Sequence, residues 1–256
     1  MEPVKKTMVS GHSAWLMGSR ALIVHLNRHG GVSQPPFDTL NLSLTPESAG
    51  RERPENVTEN LLRAARISGA QQLAGLRQVH GTEMVEVSSD LKANDAALPG
   101  RQADGLMTSA AGVGLLIRTA DCQALTLVDP LLPAAANLHC GWRGIAAGLI
   151  PKGVKAMKRR FGSEASRLIA VIGPSIGPCC AEFKGWKRLL PAWMHRFVDH
   201  RSHIDLWAAS SEALMAAGIL RENIYIEGTC TRCSPDYFSY RRERLTGRNG
   251  TIVVLS

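Results

Sequence analysis

Apolar residues recur in two rhythms along this chain. Between residues 54 and 68, Val57, Leu61, Leu62 and Ala65 return at helical spacing. Pro54 stands at the first turn, where a missing N–H costs little, so the pattern predicts a helix over 54–68. Further helices are expected over 144–161, 182–198 and 204–217. Elsewhere the apolar runs are short and bounded by turn residues, as strands are. They fall at 21–26, 82–87, 114–118, 124–129, 134–138, 168–173 and 251–255, and the stretch from Pro130 to Pro133 turns the chain between 129 and 134. Hairpins mixed with helices, without strict strand–helix alternation, favour the α+β class. No repeat, low-complexity tract or Gly/Ser linker divides the sequence, so 1–256 reads as a single domain.

Composition narrows the classes. With 45% hydrophobic residues spread over 256 positions, the chain has material for a substantial core and is not predominantly disordered. No apolar run approaches the roughly 18 residues of a membrane span. Six cysteines are too sparse for a disulfide scaffold, and Lys5 and Lys6 are not followed by the apolar stretch of a secretory leader. A cytoplasmic protein with reduced thiols is expected. The net charge of +8 suggests an anionic partner, but its distribution qualifies that. Between residues 143 and 167 lie Arg143, Lys152, Lys155, Lys158, Arg159, Arg160 and Arg167, against Glu164 alone. On a helix, Ile150, Val154, Met157 and Phe161 fall on one face, with Lys152, Lys155 and Arg159 opposite. That is a solvated basic face. Without interleaved aromatics or a known module, it does not argue for nucleic acid.

Candidate chemistry concentrates in Thr119-Ala-Asp-Cys-Gln123 and His139-Cys-Gly-Trp-Arg-Gly144. If 124–129 and 134–138 pair as a hairpin turning near residue 131, Cys122 falls opposite residues 139–140. Cross-strand neighbours lie about 4.5–5.5 Å apart, so Cys122 and His139 are expected to share a ligand unless the register slips. A thiolate beside an imidazole suits either a Cys–His nucleophile pair or zinc, which needs at least one more ligand. His80, in Gln78-Val-His-Gly81, is the best placed by context, although spacing alone does not derive it. Cys230-Thr-Arg-Cys233 is half a zinc knuckle without an evident second pair, and the vicinal Cys179-Cys180 is poorly placed to chelate. These four thiols and Cys140 read as buried or incidental. The zinc-deaminase signature, H-E-x-x-H and the P-loop are absent. For anions, Gly141 to Gly144 runs from a strand end into a helix start, with Arg143 beside it. Arg28 and Arg241 offer further guanidinium groups near turns; pairing with nearby carboxylates is the alternative reading for all three.

Several motifs, in order, resemble the bacterial laccase-domain proteins, called polyphenol oxidoreductases and also peptidoglycan-editing factors. They are Arg28-His-Gly-Gly-Val-Ser33 with Leu40-Asn-Leu42, Gln78-Val-His-Gly81, Ala103-Asp-Gly105 and Thr119-Ala-Asp-Cys122. His139 to Gly144, Ile172 to Cys180, and Phe238-Ser-Tyr-Arg-Arg242 with Thr246-Gly-Arg248 complete the set, which spans residues 20–256. The resemblance implies a four-layer α/β/β/α fold with a central β-sandwich of mixed sheets. It implies a metal site on His80, Cys122 and His139, which would also be the catalytic centre, holding Zn²⁺ rather than copper. The implied activities are phosphorolysis of adenosine, inosine or methylthioadenosine, and deamination of adenosine. The partners would then be purine nucleosides and phosphate, with Arg28, Arg143 and Arg241 as candidate phosphate-binding residues and Asp121 or Asp104 as candidate proton carrier. The alternatives are a copper-dependent polyphenol oxidase and a cell-wall-linked peptidoglycan-editing protein acting mainly by binding. Three departures from the family pattern stand out. Cys140 replaces the usual alanine and would add a thiol beside the site. Pro151 should kink the helix after the Trp-Arg motif. Residues 43–50 lack the usual Gly-Asp.

Overall fold

A computed structural model describes residues 4–44, 51–89 and 101–256, which leaves most of the 43–50 segment outside the described residues. The chain runs through β1 (Val4–Val9), β2 (His12–Met17), β3 (Ala21–Leu26), α1 (Pro54–Ser68), β4 (Gln72–Ala74), β5 (Met84–Glu86) and β6 (Gly105–Thr108). It continues through β7 (Val113–Thr119), β8 (Gln123–Asp129), β9 (Ala134–Cys140), α2 (Trp142–Ala146), α3 (Leu149–Phe161) and β10 (Ile169–Ile172). The last part holds α4 (Trp186–Leu189), α5 (Leu206–Ala216), β11 (Ile224–Ile226), α6 (Tyr240–Glu243) and β12 (Asn249–Leu255).

These strands form two mixed six-stranded sheets, ordered β1-β2-β3-β12-β7-β4 and β11-β10-β8-β9-β6-β5. The fold class is α+β, and the layers follow from which face each side chain takes. Leu115, Ile117 and Val253 of the first sheet meet Ala124, Val128, Ala135 and Val171 of the second in a core between the sheets. Their neighbours Leu116, Ile252 and Val254 point the other way and pack with Ala64 of α1. On the far side, Leu125, Leu127, Leu138 and Ile172 pack under Ile150, Val154 and Met157 of α3 and Leu214 of α5. All seven residues of β8 and all seven of β9 are buried, because helices cover one face of the sheet and a second sheet covers the other. Burial on two faces makes their sequences mostly apolar rather than alternating, interrupted in the middle only by the buried Thr126 and Asn137.

Two helices differ from their expectation. The helix over 144–161 is split into α2 and α3 at Gly148, whose φ of 83° is left-handed backbone. Pro151 is then the third residue of α3, where the N–H has no partner within the helix, so it introduces no kink. The helix over 182–198 is also interrupted. Gly185 at φ 75° and an extended Leu190–Pro191 leave only α4 and a 3-10 turn over Ala192–Phe197. The basic face of α3 is solvated and carries ion pairs. Lys152 meets Glu83 at 2.6 Å, Lys158 meets Glu164 at 3.4 Å, and Arg160 pairs with Glu86. Among the described residues, no helix is long and apolar enough to cross a membrane.

Candidate metal centre

The centre is built around a buried carboxylate. Asp104 lies just before β6, and its main-chain oxygen accepts the N–H of His139 on β9 at 2.7 Å. Its Oδ1 accepts from His139 Nδ1 at 2.8 Å and from the His80 N–H at 2.9 Å. Its Oδ2 accepts the N–H groups of Gly81 at 2.6 Å and Val79 at 3.2 Å. One side chain thus orients the His139 ring and shapes the turn that presents His80. With its Nδ1–H donated to the Asp104 carboxylate, His139 is left with Nε2 as its ligand atom. The turn itself is held from the other side, where Gln78 donates to the Arg118 carbonyl at 2.7 Å and accepts the Arg118 N–H at 2.9 Å. His80 sits at φ 61°, a left-handed conformation stabilised by that double anchorage.

Cys122 arrives from the hairpin. Gln123 pairs with Cys140 and Ala124 with His139, so the register continues to place Cys122 opposite Gly141, one position beyond the expected 139–140. His139 is the diagonal neighbour on the same face, and the two side chains still converge. Asp121, at φ 92°, fixes the turn before Cys122. Its carboxylate accepts from Thr231 Oγ1 at 2.7 Å and the Arg241 N–H at 2.6 Å, and its carbonyl accepts from Ile176 at 2.9 Å. Cys122 Sγ lies 3.9 Å from His80 Nε2, and one ligand atom from each of His80, Cys122 and His139 falls within 4.8 Å of the others. Gly141 makes the approach feasible, since a Cβ there would lie 2.8 Å from His80 Cδ2 and 3.1 Å from the sulfur.

The electrostatics suit a cation. Burial opposes ionisation of the Cys122 thiol, yet His139 and His80 outweigh it and hold the thiol well below its usual range. Burial likewise disfavours the His139 imidazolium, but the Cys122 thiolate and Asp104 raise it. The desolvated Asp104 is itself held low by His139 and the Gly81 and His80 N–H groups. A thiolate with two oriented imidazoles is a zinc donor set, and three protein ligands is the number found in catalytic rather than structural zinc sites.

This centre lies in a cleft of about 1150 Å³. Arg77, Arg118, Arg143, Arg241, Arg244 and Arg248 contribute to its lining. Trp142 and Phe183 meet edge to face at 5.0 Å on its wall, and the Arg143 guanidinium stacks 4.4 Å over the Trp142 ring.

Of the six residues expected at the site, His80, Cys122, His139, Arg143 and Arg241 come together around this cleft. Arg28 does not line it. Its guanidinium is engaged by Glu243 at 2.8 Å, Asp38 at 3.2 Å and the Asp38 carbonyl at 2.7 Å. Asp104, considered as a proton carrier, is sealed beneath the histidines and acts through them. The helix that was to start beside Arg143 is only the five-residue α2, so little dipole accompanies the side chain. Cys140 faces away from the centre, as strand alternation requires, and is buried against Leu138 and Ile145 under the helices, where burial pushes its thiol far up. The remaining thiols also depart from expectation: one sulfur from each of Cys179, Cys180, Cys230 and Cys233 lies within 4.8 Å of the others. Sequence spacing gave no signal for Asp104 as an orienting group, nor for the steric role of Gly141.

A family model described as multi-copper polyphenol oxidoreductase laccase matches residues 22–256. Purine nucleoside phosphorylase SCO2081 of Streptomyces coelicolor is 33% identical over 234 residues, which cover 90% of this chain and 93% of the relative. Purine nucleoside phosphorylase YlmD of Geobacillus stearothermophilus is 33% identical over 240 residues, covering 86% and 85%. The crystal structure of YlmD from the same organism superposes with a TM-score of 0.87 over 99% of each chain, at 28% identity.

Proposed function

Because the chain belongs to the multi-copper polyphenol oxidoreductase laccase family, we propose that it is a zinc-dependent enzyme that phosphorolyses purine nucleosides in this cleft. The names of its relatives support the reaction class. The observation that carries the reading is the juxtaposition of a Cys/His₂ donor set with arginines in one cleft roomy enough for a nucleoside and a phosphate.

In phosphorolysis a phosphate oxygen bonds to the anomeric carbon of the ribose while the bond to the purine nitrogen breaks, and the base leaves with the electron pair. Arg143 and Arg241 are the phosphate-binding residues of this proposal. Arg143 presents its guanidinium over Trp142, and Arg241 is steadied by the carbonyls of Cys180 at 3.1 Å and Glu182 at 3.0 Å. Their charge offsets the phosphate's own and permits close approach to the ribose. Trp142 and Phe183 offer an aromatic wall to the base. His80, Cys122 and His139 would hold the zinc, which supplies a Lewis acid when bound. Asp104 keeps the His139 tautomer fixed, and the Asp121 carboxylate positions the Arg241 main chain.

A second reading, deamination of adenosine, is favoured by the donor set itself, since three protein ligands are characteristic of hydrolytic zinc. Copper-based phenol oxidation draws on several coppers and many histidines. Among the described residues only one of the two potential ligand groups contains histidine.

The test incubates the purified chain with adenosine, inosine or methylthioadenosine, with and without phosphate, and separates the products by chromatography. Free base that forms only with phosphate is expected. Inosine from adenosine would add the deaminase activity. Cys122→Ala should abolish turnover and remove one equivalent of zinc with the circular dichroism unchanged. Absence of both free base and inosine with zinc-loaded protein would overturn the reading, and binding of cell-wall fragments without turnover would favour the binding role. Copper in place of zinc with oxidation of phenols would favour the oxidase.

A further inference from the structure

Four thiols outside the cleft's donor set converge on one point, although they are far apart in sequence. Cys179 and Cys180 lie on the segment after β10, and Cys230 and Cys233 on the segment after β11. The two strands are parallel neighbours, so these segments leave the sheet at the same end and run on together. Ser175 bridges to Cys230 beyond the strands, its N–H donating to the Thr229 carbonyl at 3.2 Å and its carbonyl accepting the Thr231 N–H at 3.1 Å. The sheet register therefore delivers a Cys-Cys pair and a Cys-x-x-Cys pair to the same place.

The resulting distances are those of ligands around one ion. Cys180 Sγ lies 3.4 Å and Cys179 Sγ 3.8 Å from Cys233 Sγ, and all four sulfurs fall within 4.8 Å of one another. Zinc with four sulfurs at about 2.3 Å sets tetrahedral edges of about 3.8 Å. All four are free cysteines, with no sulfur pair at bonding distance. Two of the sulfurs, those of Cys230 and Cys180, face hydrogen-bond donors. The Gly177 N–H donates to Cys230 Sγ at 3.2 Å, and the N–H groups of Arg232 and Cys233 are aimed at the same sulfur. The Arg232 guanidinium donates to Cys180 Sγ at 3.4 Å. Donors and a cation of this kind offset the excess charge of four thiolates on a divalent ion.

We propose that Cys179, Cys180, Cys230 and Cys233 form a second metal site, a closed four-thiolate centre for a thiophilic divalent cation of the zinc type. Binding releases the thiol protons to solvent and involves no oxidation. A closed set of four sulfurs has no position for substrate, so its role is structural. What it holds in place is one wall of the cleft. The Cys180 carbonyl accepts from Arg241, Thr231 donates to the Asp121 carboxylate, and Arg242 ties together the carbonyls of Thr231, Arg232 and Ser234. The site stands independently of the cleft's activity.

Cobalt(II) in place of zinc tests it on the full-length Cys122→Ala chain, whose cleft centre has lost its sulfur. One cobalt per chain is expected, with the intense thiolate-to-metal absorption of a four-sulfur site. Cys233→Ser in the same background should weaken cobalt binding at least tenfold and diminish that absorption, whereas Cys140→Ser should change neither. Thiol counting on the folded Cys122→Ala chain gives a measurement that needs no further variant, since zinc should protect four thiols from a thiol-specific reagent. No thiolate-to-cobalt absorption and no protection in a folded chain would overturn the proposal. A Cys179–Cys233 or Cys180–Cys233 disulfide in protein kept in thiol buffer would also overturn it, in favour of a redox pair.

Discussion

Asp104 accepts four hydrogen bonds on two oxygens, three from consecutive main-chain N–H groups and one from His139. Replacing it with Asn keeps one acceptor and turns an NH₂ group against donors, so both histidines lose their fixed orientation. Asp104→Asn is expected to weaken metal binding at the cleft centre by about 10- to 100-fold, as outer-shell substitutions do, read by competition with a chelator. The Cys122–His139 pair was legible in the sequence because a hairpin is symmetric about its turn; the observed partner of Cys122, Gly141, stands two positions from His139, and a shift of two keeps both side chains on one face. Asp104 in this role was not. Its partners lie 23–25 residues earlier and 35 later, and a carboxylate that caps a loop has no periodicity to betray it. Cys140 illustrates the converse. Adjacency to His139 in sequence suggested adjacency to the metal, but strand alternation turns neighbours to opposite faces.

At the level of elements, the apolar period gave α1 its observed limits and placed the β8–β9 hairpin, but it missed the break between α2 and α3. Ile150, Val154 and Met157 sit on α3 alone, and the period says nothing about where the preceding turn begins. The break belongs to Gly148. Gly148→Ala places a side chain at φ 83°, in space with only Pro151 Cγ within 4 Å, at 3.8 Å. The expected cost is about 1–2 kcal/mol in urea denaturation, from backbone strain alone. Pro151→Ala should change stability by less than about 1 kcal/mol. A proline in a helix interior costs about 3 kcal/mol, so a marked gain on its removal would contradict its placement in the first turn. The same local breakers, Gly185 and Pro191, explain why 182–198 did not become one helix.

Across the whole molecule, a polar seam runs through the core between the sheets. Asn137 donates to the carbonyls of Leu115 and Thr251, both at 2.9 Å, and Thr251 Oγ1 lies 3.1 Å from His25 Nδ1. Glu227 accepts from Ser13 and Trp15, both at 2.8 Å, and pairs with Lys6. Burial lowers the His25 pKa to about 4 despite the nearby Glu227 charge, so the folded protein holds this imidazole neutral. The unfolded chain takes up that proton from about pH 6.5 downward, so stability is full above that pH and declines as pH falls towards 4. His25 alone should contribute a loss on the order of 3 kcal/mol across that window. Urea denaturation at several pH values checks this, since His25→Gln should flatten the decline between pH 6.5 and 4 relative to the parent chain. The cleft has a consequence of another kind, for rates rather than stability. Its six arginines come from four stretches of the chain, three of them from residues 241–248, and line one concave cleft. Such a surface focuses its electric field outward, so an approaching anion would be steered to the opening before it touches any residue, and added salt should slow that capture.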